Sequence, residues 1–269
     1  MNTPAFKETQ QGISLRVSGL RKSFGSLEVL RGLDFEVLPG EIFVIMGPSG
    51  SGKSVLLKHL IGLEEPDAGE ILIDGRPIGS PEVMAQYRLA MVFQSGALLN
   101  SLTVAENVGL YLTEHRLKPP EEIARIVADK LEVVGLKGTE NKMPGDLSGG
   151  MKKRVAIARA LVIEPQLILY DEPTSELDPL SSVVICKEIA KLQDRIGVTS
   201  LVVSHDRDLA FGVADRIAVI NEGRIVALGT PDQIRNSTVP LVREFIQADF
   251  HRADADVASA PAGHHFKST

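Results

Sequence analysis

Ile42-Phe43-Val44-Ile45-Met46, an unbroken apolar run, leads directly into Gly47-Pro48-Ser49-Gly50-Ser51-Gly52-Lys53-Ser54. The second half fits the phosphate-loop pattern Gly-x4-Gly-Lys-Ser, and it lies where that chemistry needs it, after a buried strand and before a helix that starts near Lys53. Gly47, Gly50 and Gly52 let the backbone fold around an anion with its N–H groups pointing inward, and the following helix adds the positive end of its dipole. Pro48, Ser49 and Ser51 complete the cradle, Lys53 is positioned to reach the β- and γ-phosphates, and Ser54 carries the hydroxyl that such loops present to Mg²⁺.

Three more short apolar runs, Leu89 to Phe93, Leu167 to Tyr170 and Ser200 to Val203, are bounded by turn or charged residues and separated by helical segments. That is the pattern of a parallel sheet buried on both faces, so the expected class is α/β. Upstream, Ile13, Leu15 and Val17 alternate, and Val29-Leu30, Leu33, Phe35 and Val37 continue the pattern, which predicts an antiparallel β-layer. From Gln94 to about Gly149 the period becomes helical over Thr103 to Leu112 and Glu121 to Val134, with no strand candidate, predicting a helical insertion at about 95–149. Arg216 to Ile220 and Arg224 to Ala227 read as a hairpin across Asn221-Glu222-Gly223, followed by short helices near Pro231 to Arg235 and Pro240 to Phe250. The domain is expected over 12–250; the polar stretch 251–269, with His264-His265, reads as a disordered tail.

The 269 residues allow one large domain with a modest insertion, and no internal repeat suggests two in tandem. Lys plus Arg is 29 against 35 Asp plus Glu, a net charge of −6, which argues against nucleic acid as a partner held by a general basic surface. With 43% apolar residues, and no run near the roughly 18 that a membrane helix needs, any membrane role is expected to be peripheral. Met1 to Gln11 has one basic residue and no apolar segment, so no secretory signal is read and the chain is expected to stay in the cytoplasm. Cys186, the one cysteine, sits beside Val183-Val184-Ile185 in an expected helix and reads as an inert, packed thiol.

Leu167-Ile168-Leu169-Tyr170-Asp171-Glu172 is an apolar strand that delivers two carboxylates to the sheet edge where ligands bind. Asp171 is placed for the Mg²⁺ shell, and Glu172 for orienting and polarising a water, because phosphoryl transfer depends mainly on positioning and charge neutralisation. The rival reading is an acid pair capping the helix near Pro179. Together with the phosphate loop, the strand end predicts a nucleoside triphosphatase.

Leu147-Ser148-Gly149-Gly150-Met151 narrows the class. Ser148 is a good helix N-cap before Lys152-Lys153-Arg154-Val155-Ala156, and the glycines expose N–H groups to a second anion. With the phosphate loop, this segment resembles the signature of ABC-transporter ATPases. The other motifs follow in that family's order over about residues 13–230: Phe24, the phosphate loop, Gln94, the signature, Asp171-Glu172, Ser175 to Asp178, and Ser204-His205-Asp206. The resemblance implies an ABC cassette that binds ATP with Mg²⁺ and hydrolyses it. It implies that Phe24 stacks on adenine, although a core phenylalanine is the alternative. Gln94 would touch Mg²⁺ and the attacking water, and His205 would hold the γ-phosphate and Glu172. It also implies that Ser148, Gly149 and Gly150 serve the nucleotide of a second copy of the chain, with Asp178 in the loop that crosses between copies.

Met151 stands where the family usually has Gln. With Phe93 to Leu98, Leu102 to Val108, Leu110 to His115 and Val242 to Ile246, it resembles the ATPases of Mla-type lipid transporters, which work with MCE-domain proteins. That implies an integral membrane permease and an MCE-domain lipid-binding protein as partners, a place on the cytoplasmic face of the inner membrane, and lipid as cargo. Leu98, Leu99, Leu102 and Val104 are read as a partner surface, in a region that in that family cradles a permease helix; packing inside the insertion is the alternative for each. An exporter or importer ATPase for another substrate class remains the alternative. A DNA-repair or translation ATPase would need a coiled-coil insertion or second cassette, and a dead nucleotide binder would lack Lys53, Asp171, Glu172 or His205.

Overall fold

The computed structural model describes residues 12–79 and 86–247, so the expectations for Met1 to Gln11, the end of the last helix and the tail from His251 fall outside the described residues. Two sheets stack with a helix between them. The first pairs β1 (Leu15–Phe24), β2 (Leu27–Val37), β4 (Ala68–Ile73) and β5 (Arg76–Pro77) antiparallel in the order β2-β1-β4-β5. The second is built on β3 (Ile42–Met46), β6 (Leu89–Val92), β7 (Leu167–Asp171), β8 (Thr199–Ser204), β9 (Arg216–Asn221) and β10 (Arg224–Gly229), in the order β10-β9-β3-β8-β7-β6. Its strands run parallel except for the β9-β10 hairpin.

The α/β cassette with a parallel core, an antiparallel layer and helices in the insertion is therefore the observed architecture. Two differences from the sequence reading have simple causes. The strand Ala68–Ile73 was not expected; it is held by antiparallel pairing to β1, far away in sequence, and only Ile71 and Ile73 of it are buried. The hairpin loop is Glu222-Gly223 alone, because Asn221 already pairs with Arg224, and both loop residues take the positive φ whose twist suits a two-residue connection.

Alternation along β3 explains the two cores. Ile42, Val44 and Met46 face a cluster shared with the helices on one side, while Phe43 and Ile45 face a cluster between the two sheets. All five are buried, each contributing about 1.5–3 kcal/mol relative to exposure, so the phosphate loop issues from a strand clamped on both faces. Helix α1 (Lys53–Leu60) inserts Leu56, Leu57 and Leu60 between the sheets.

Helices α2 (Val104–Glu114) and α3 (Pro120–Val133) fill the segment after β6. Thr103 and Glu106 close a reciprocal capping box at the start of α2, and Pro120 with two glutamates begins α3. Their buried residues Val104, Val108, Val127 and Leu131 join the cluster of helix α4 (Gly149–Leu161) and the parallel sheet. Helix α5 (Pro179–Ile196) starts at Asp178 and stops at Gly197 in the left-handed conformation, and helices α6 (Arg207–Val213), α7 (Pro231–Arg235) and α8 (Pro240–Gln247) complete the described chain. Cys186 is half-buried on α5, and burial pushes its thiol up to about 11, as an inert packed thiol requires.

Candidate functional site

Strand β3 ends at Met46 and the chain turns around Gly47, where a side chain could not fit: a Cβ there would lie 2.2 Å from the Ile220 carbonyl oxygen. Gly52 has φ 102 and caps α1, and a Cβ would lie 2.7 Å from Leu30, so both glycines are demanded by space or conformation. Inside this turn the Lys53 ammonium donates to the carbonyls of Gly47 at 2.7 Å and Pro48 at 3.0 Å. It also lies 3.6 Å from Glu172 Oε1, and burial pushes its pKa below the ordinary lysine value. The Ser51 hydroxyl is buried without a partner, and the first N–H groups of α1 are orphans by helix geometry, so the cradle holds unspent donors for an anion.

Neighbouring strand ends bring the acids. Asp171 ends β7 and accepts from Ser54 Oγ at 3.2 Å; burial raises its carboxyl above the usual range. Glu172 follows with φ 46, a left-handed conformation that costs a non-glycine residue about 1–2 kcal/mol, and its N–H donates to Val203. One carboxylate oxygen accepts from Ser204 Oγ at 3.1 Å, from the His205 N–H at 3.2 Å, and lies 2.9 Å from His205 Nδ1. The other faces Lys53. Glu172 is thus fixed from three directions at the end of a buried strand. The pair does not cap the helix at Pro179, because Asp178 does that by accepting from the Ser181 N–H and hydroxyl.

Ser49, Gly50, Gly52, Lys53, Ser54, Gln94, Glu172 and His205 line one cleft of about 290 Å³, with Val29 and Val55, which the sequence reading did not single out. Gly47, Pro48 and Ser51 form the loop behind it, and Asp171 joins it through Ser54. Phe24, at the end of β1, is 45% exposed with the Lys22 ammonium 5.4 Å from its ring centroid, so it is not a core residue.

Ser148, Gly149, Gly150 and Asp178 are not among the residues lining that cleft. Ser148 caps α4 by accepting from the Met151 N–H at 3.3 Å, and the Met151 side chain packs against the core. Gly149 and Gly150 lie against the Asp178 loop: a Cβ on either would sit 3.2 Å from Leu177 or Ser181. Two further contributors were missed, Lys153 and Arg159, whose side chains reach the Gln94 loop from α4.

The expected permease surface is only partly exposed. Val104 is buried in the core, Leu98 and Leu102 are half-buried, and Leu99 is 46% exposed. Beside them an open apolar groove of about 460 Å³ runs between Met91, Phe93, Ala97, Leu110, Tyr111 and Ile163.

Comparison with known proteins agrees with this geometry. The family described as "ABC transporter" matches residues 30–175. The chain is 41% identical over 239 residues to the probable ribonucleotide transport ATP-binding protein mkl of Mycobacterium leprae, covering 87% of this chain and 69% of that one. It is 40% identical over 257 residues to the chloroplastic protein trigalactosyldiacylglycerol 3 of Arabidopsis thaliana, covering 88% and 74%. Among solved structures, the dimeric post-hydrolysis state of the ATP-binding cassette MJ0796 bound to ADP and Pi is similar with TM-score 0.72 and 31% identity, over 81% of this chain and 98% of that one.

Proposed function

This chain belongs to the ABC transporter family as an ATP-hydrolysing cassette, and we propose that it works as a pair of copies that close over two shared ATP sites to drive lipid transport through a membrane permease. The observation that carries the catalytic part is the Glu172 carboxylate, held by Ser204 and His205 on one oxygen and facing Lys53 with the other. In this reading Lys53 leaves the Gly47 and Pro48 carbonyls for the β- and γ-phosphates, and the loop N–H groups take the remaining phosphate oxygens. Glu172 accepts a proton from the attacking water, and His205 keeps the carboxylate aimed while reaching the γ-phosphate. Gln94, on the cleft wall, orients the same water, and Phe24, exposed at the end of β1, stacks on the adenine.

The oxygen donors Ser54 and Asp171 suit Mg²⁺, a hard cation that takes most of its ligands from phosphate and water. When bound, Mg²⁺ neutralises charge developing between the β- and γ-phosphates. The signature residues Ser148, Gly149 and Gly150 do not line the cleft of their own chain, and a two-fold pair lets each signature face the other's phosphate loop, with Asp178 between them. The cassette is taken to span 12–250.

No helix among the described residues is long and apolar enough to cross a membrane, which fits a subunit held on the cytoplasmic face of the inner membrane by a permease. The groove between Phe93, Leu110, Tyr111 and Ile163 is the docking site in this reading, with Leu99 on its exposed neighbouring loop. Lipid as cargo, with an MCE-domain protein in the complex, is supported by Met151, by the stretches from Phe93 to His115 and Val242 to Ile246, and by the relative named for a galactolipid. The relative named for ribonucleotide transport favours the alternative, a cassette serving another substrate class. Mass spectrometry of the detergent-extracted complex separates the two: a permease with an MCE-domain protein is expected, and a permease with a sugar- or peptide-binding partner instead would remove the lipid reading.

A further inference from the structure

Helix α4 carries two cations that reach across to the strand ends of the catalytic cleft. The Arg159 guanidinium donates to the carbonyls of Gly96 at 2.8 Å and Ala97 at 2.7 Å. Lys153 goes deeper: it is 5% exposed, and its ammonium donates to the Gln94 carbonyl, to the Glu172 carbonyl at 3.3 Å and to Ser175 Oγ at 3.3 Å. Those acceptors use all the N–H donors an ammonium has. The Ser175 hydroxyl in turn donates to the same Glu172 carbonyl at 2.8 Å, closing a small ring.

Burial pushes the Lys153 pKa below the ordinary lysine value, opposed by the charges of Glu176, Asp171 and Glu172. Methionine or leucine could fill such a space without that desolvation cost. What the ammonium adds is a fixed tie between the end of β6, the end of β7 and the turn before α5. Glu172 is where that tie matters most. Its backbone has φ 46, its N–H is held by Val203 and its carbonyl by Lys153 and Ser175. A non-glycine residue stays in this backbone conformation only where its surroundings hold it, so the direction of its carboxylate depends on how the flanking peptides are held.

We propose that Lys153 is a positioning residue for ATP hydrolysis, which from the signature helix holds the Glu172 backbone and the Gln94 loop in one register. The same helix begins at Ser148, so the element that closes on one nucleotide also carries the group that aims the acid at the other. Lys153 thereby links the two shared sites mechanically. The inference rests on Glu172 being the group that activates water.

The test is steady-state ATPase kinetics and Mg-ATP titration on the full chain carrying Lys153→Met, Lys153→Gln, Glu172→Gln or Ser175→Ala. Lys153→Met keeps the bulk and removes the donors; kcat should fall about 10- to 100-fold, the size expected for misplacing a catalytic group by an ångström, while ATP affinity stays within about threefold. Lys153→Gln, which restores a donor head toward the carbonyls, should recover most of the loss. A Lys153→Met enzyme within about twofold of wild-type kcat, in an assay where Glu172→Gln is inactive, would overturn the proposal. So would parallel loss of kcat and ATP affinity, the mark of a merely structural prop. If Lys153→Met does not yield folded protein, Ser175→Ala decides: lower kcat at unchanged affinity supports the role, and unchanged kcat overturns it. Normal turnover by Glu172→Gln would instead strike the reading of Glu172 itself.

Discussion

Replacing Lys53 by Ala removes an ammonium that in the structure meets two loop carbonyls, at 2.7 and 3.0 Å, and the Glu172 carboxylate at 3.6 Å. Pro48 is exposed, so water can replace the lost donor at its carbonyl at modest cost, while the buried Gly47 carbonyl loses its ammonium partner with or without nucleotide. In the bound state nothing replaces it, because the phosphate oxygens would face an empty pocket. The difference is the net worth of about one charge-assisted hydrogen bond, about 1.5–3 kcal/mol, which at 1.4 kcal/mol per tenfold weakens Mg-ATP binding about 10- to 100-fold. Isothermal titration at about 0.15 M salt, where screening leaves only close pairs, reads this directly. A dissociation constant within about threefold of wild type would refute the claim that Lys53 exchanges its loop carbonyls for phosphate.

Asp171→Asn should stabilise the nucleotide-free protein at neutral pH. The native carboxyl is raised above the usual range, so its favourable contribution is present at low pH and lost as pH rises through the raised value, leaving at pH 7 a desolvation cost that outweighs the Ser54 hydrogen bond and the Lys53 and Lys153 charges. The melting temperature should rise in the absence of nucleotide and gain less from Mg-ATP; a lower nucleotide-free value at pH 7 and an unchanged Mg-ATP gain would contradict both halves. Cys186, pushed up to about 11, should be about one-thousandth thiolate at pH 8, against about a quarter for an ordinary thiol. Its labelling by a disulfide reagent should therefore be slow at pH 8 and accelerate about tenfold per pH unit; rapid labelling at pH 8 would show that the packing is wrong. Leu99→Asp and Tyr111→Asp, at sites 46% and 45% exposed, should release the chain from permease-containing membranes while Mg-ATP binding survives, and continued sedimentation with those membranes would move the docking site elsewhere.

The elements with strong local signals were legible from the residues alone. The strand-loop-helix around Lys53, the acid-tipped strand β7 and the Ser148 cap each carry a pattern in a few adjacent residues, and each forms as that pattern demands. Strand β4 escaped because its pairing with β1 is nonlocal and its buried positions number only Ile71 and Ile73. Val104, expected in a helix, groups in the sequence with Leu98, Leu99 and Leu102 as partner surface, yet as the first helical position after the Thr103 cap it points inward and is buried. Lys153 was hidden for a different reason: buried lysines are rare, and a basic run beside a helix start reads as a solvated face. A signal existed, since Lys153 shares the helical face of Ala156, Ile157 and Ala160, all of them buried. In the sequence reading Asp178 is only a crossing-loop residue, although Asp followed by Pro179 at the first helical position is a cap signal, which the Ser181 contacts bear out.

The claim that binds these parts together is that ATP joins two copies at shared sites and that Glu172 then releases them by hydrolysis. Sedimentation velocity of the full-length Glu172→Gln chain with Mg-ATP tests it. The amide keeps the shape of the side chain and removes the charge that accepts the proton from water, so a stable dimer holding two ATP molecules is expected, which reverts to monomer when Ser148→Arg is added. A chain that binds ATP yet sediments as a monomer, or a dimer that forms equally well with Ser148→Arg, would contradict it.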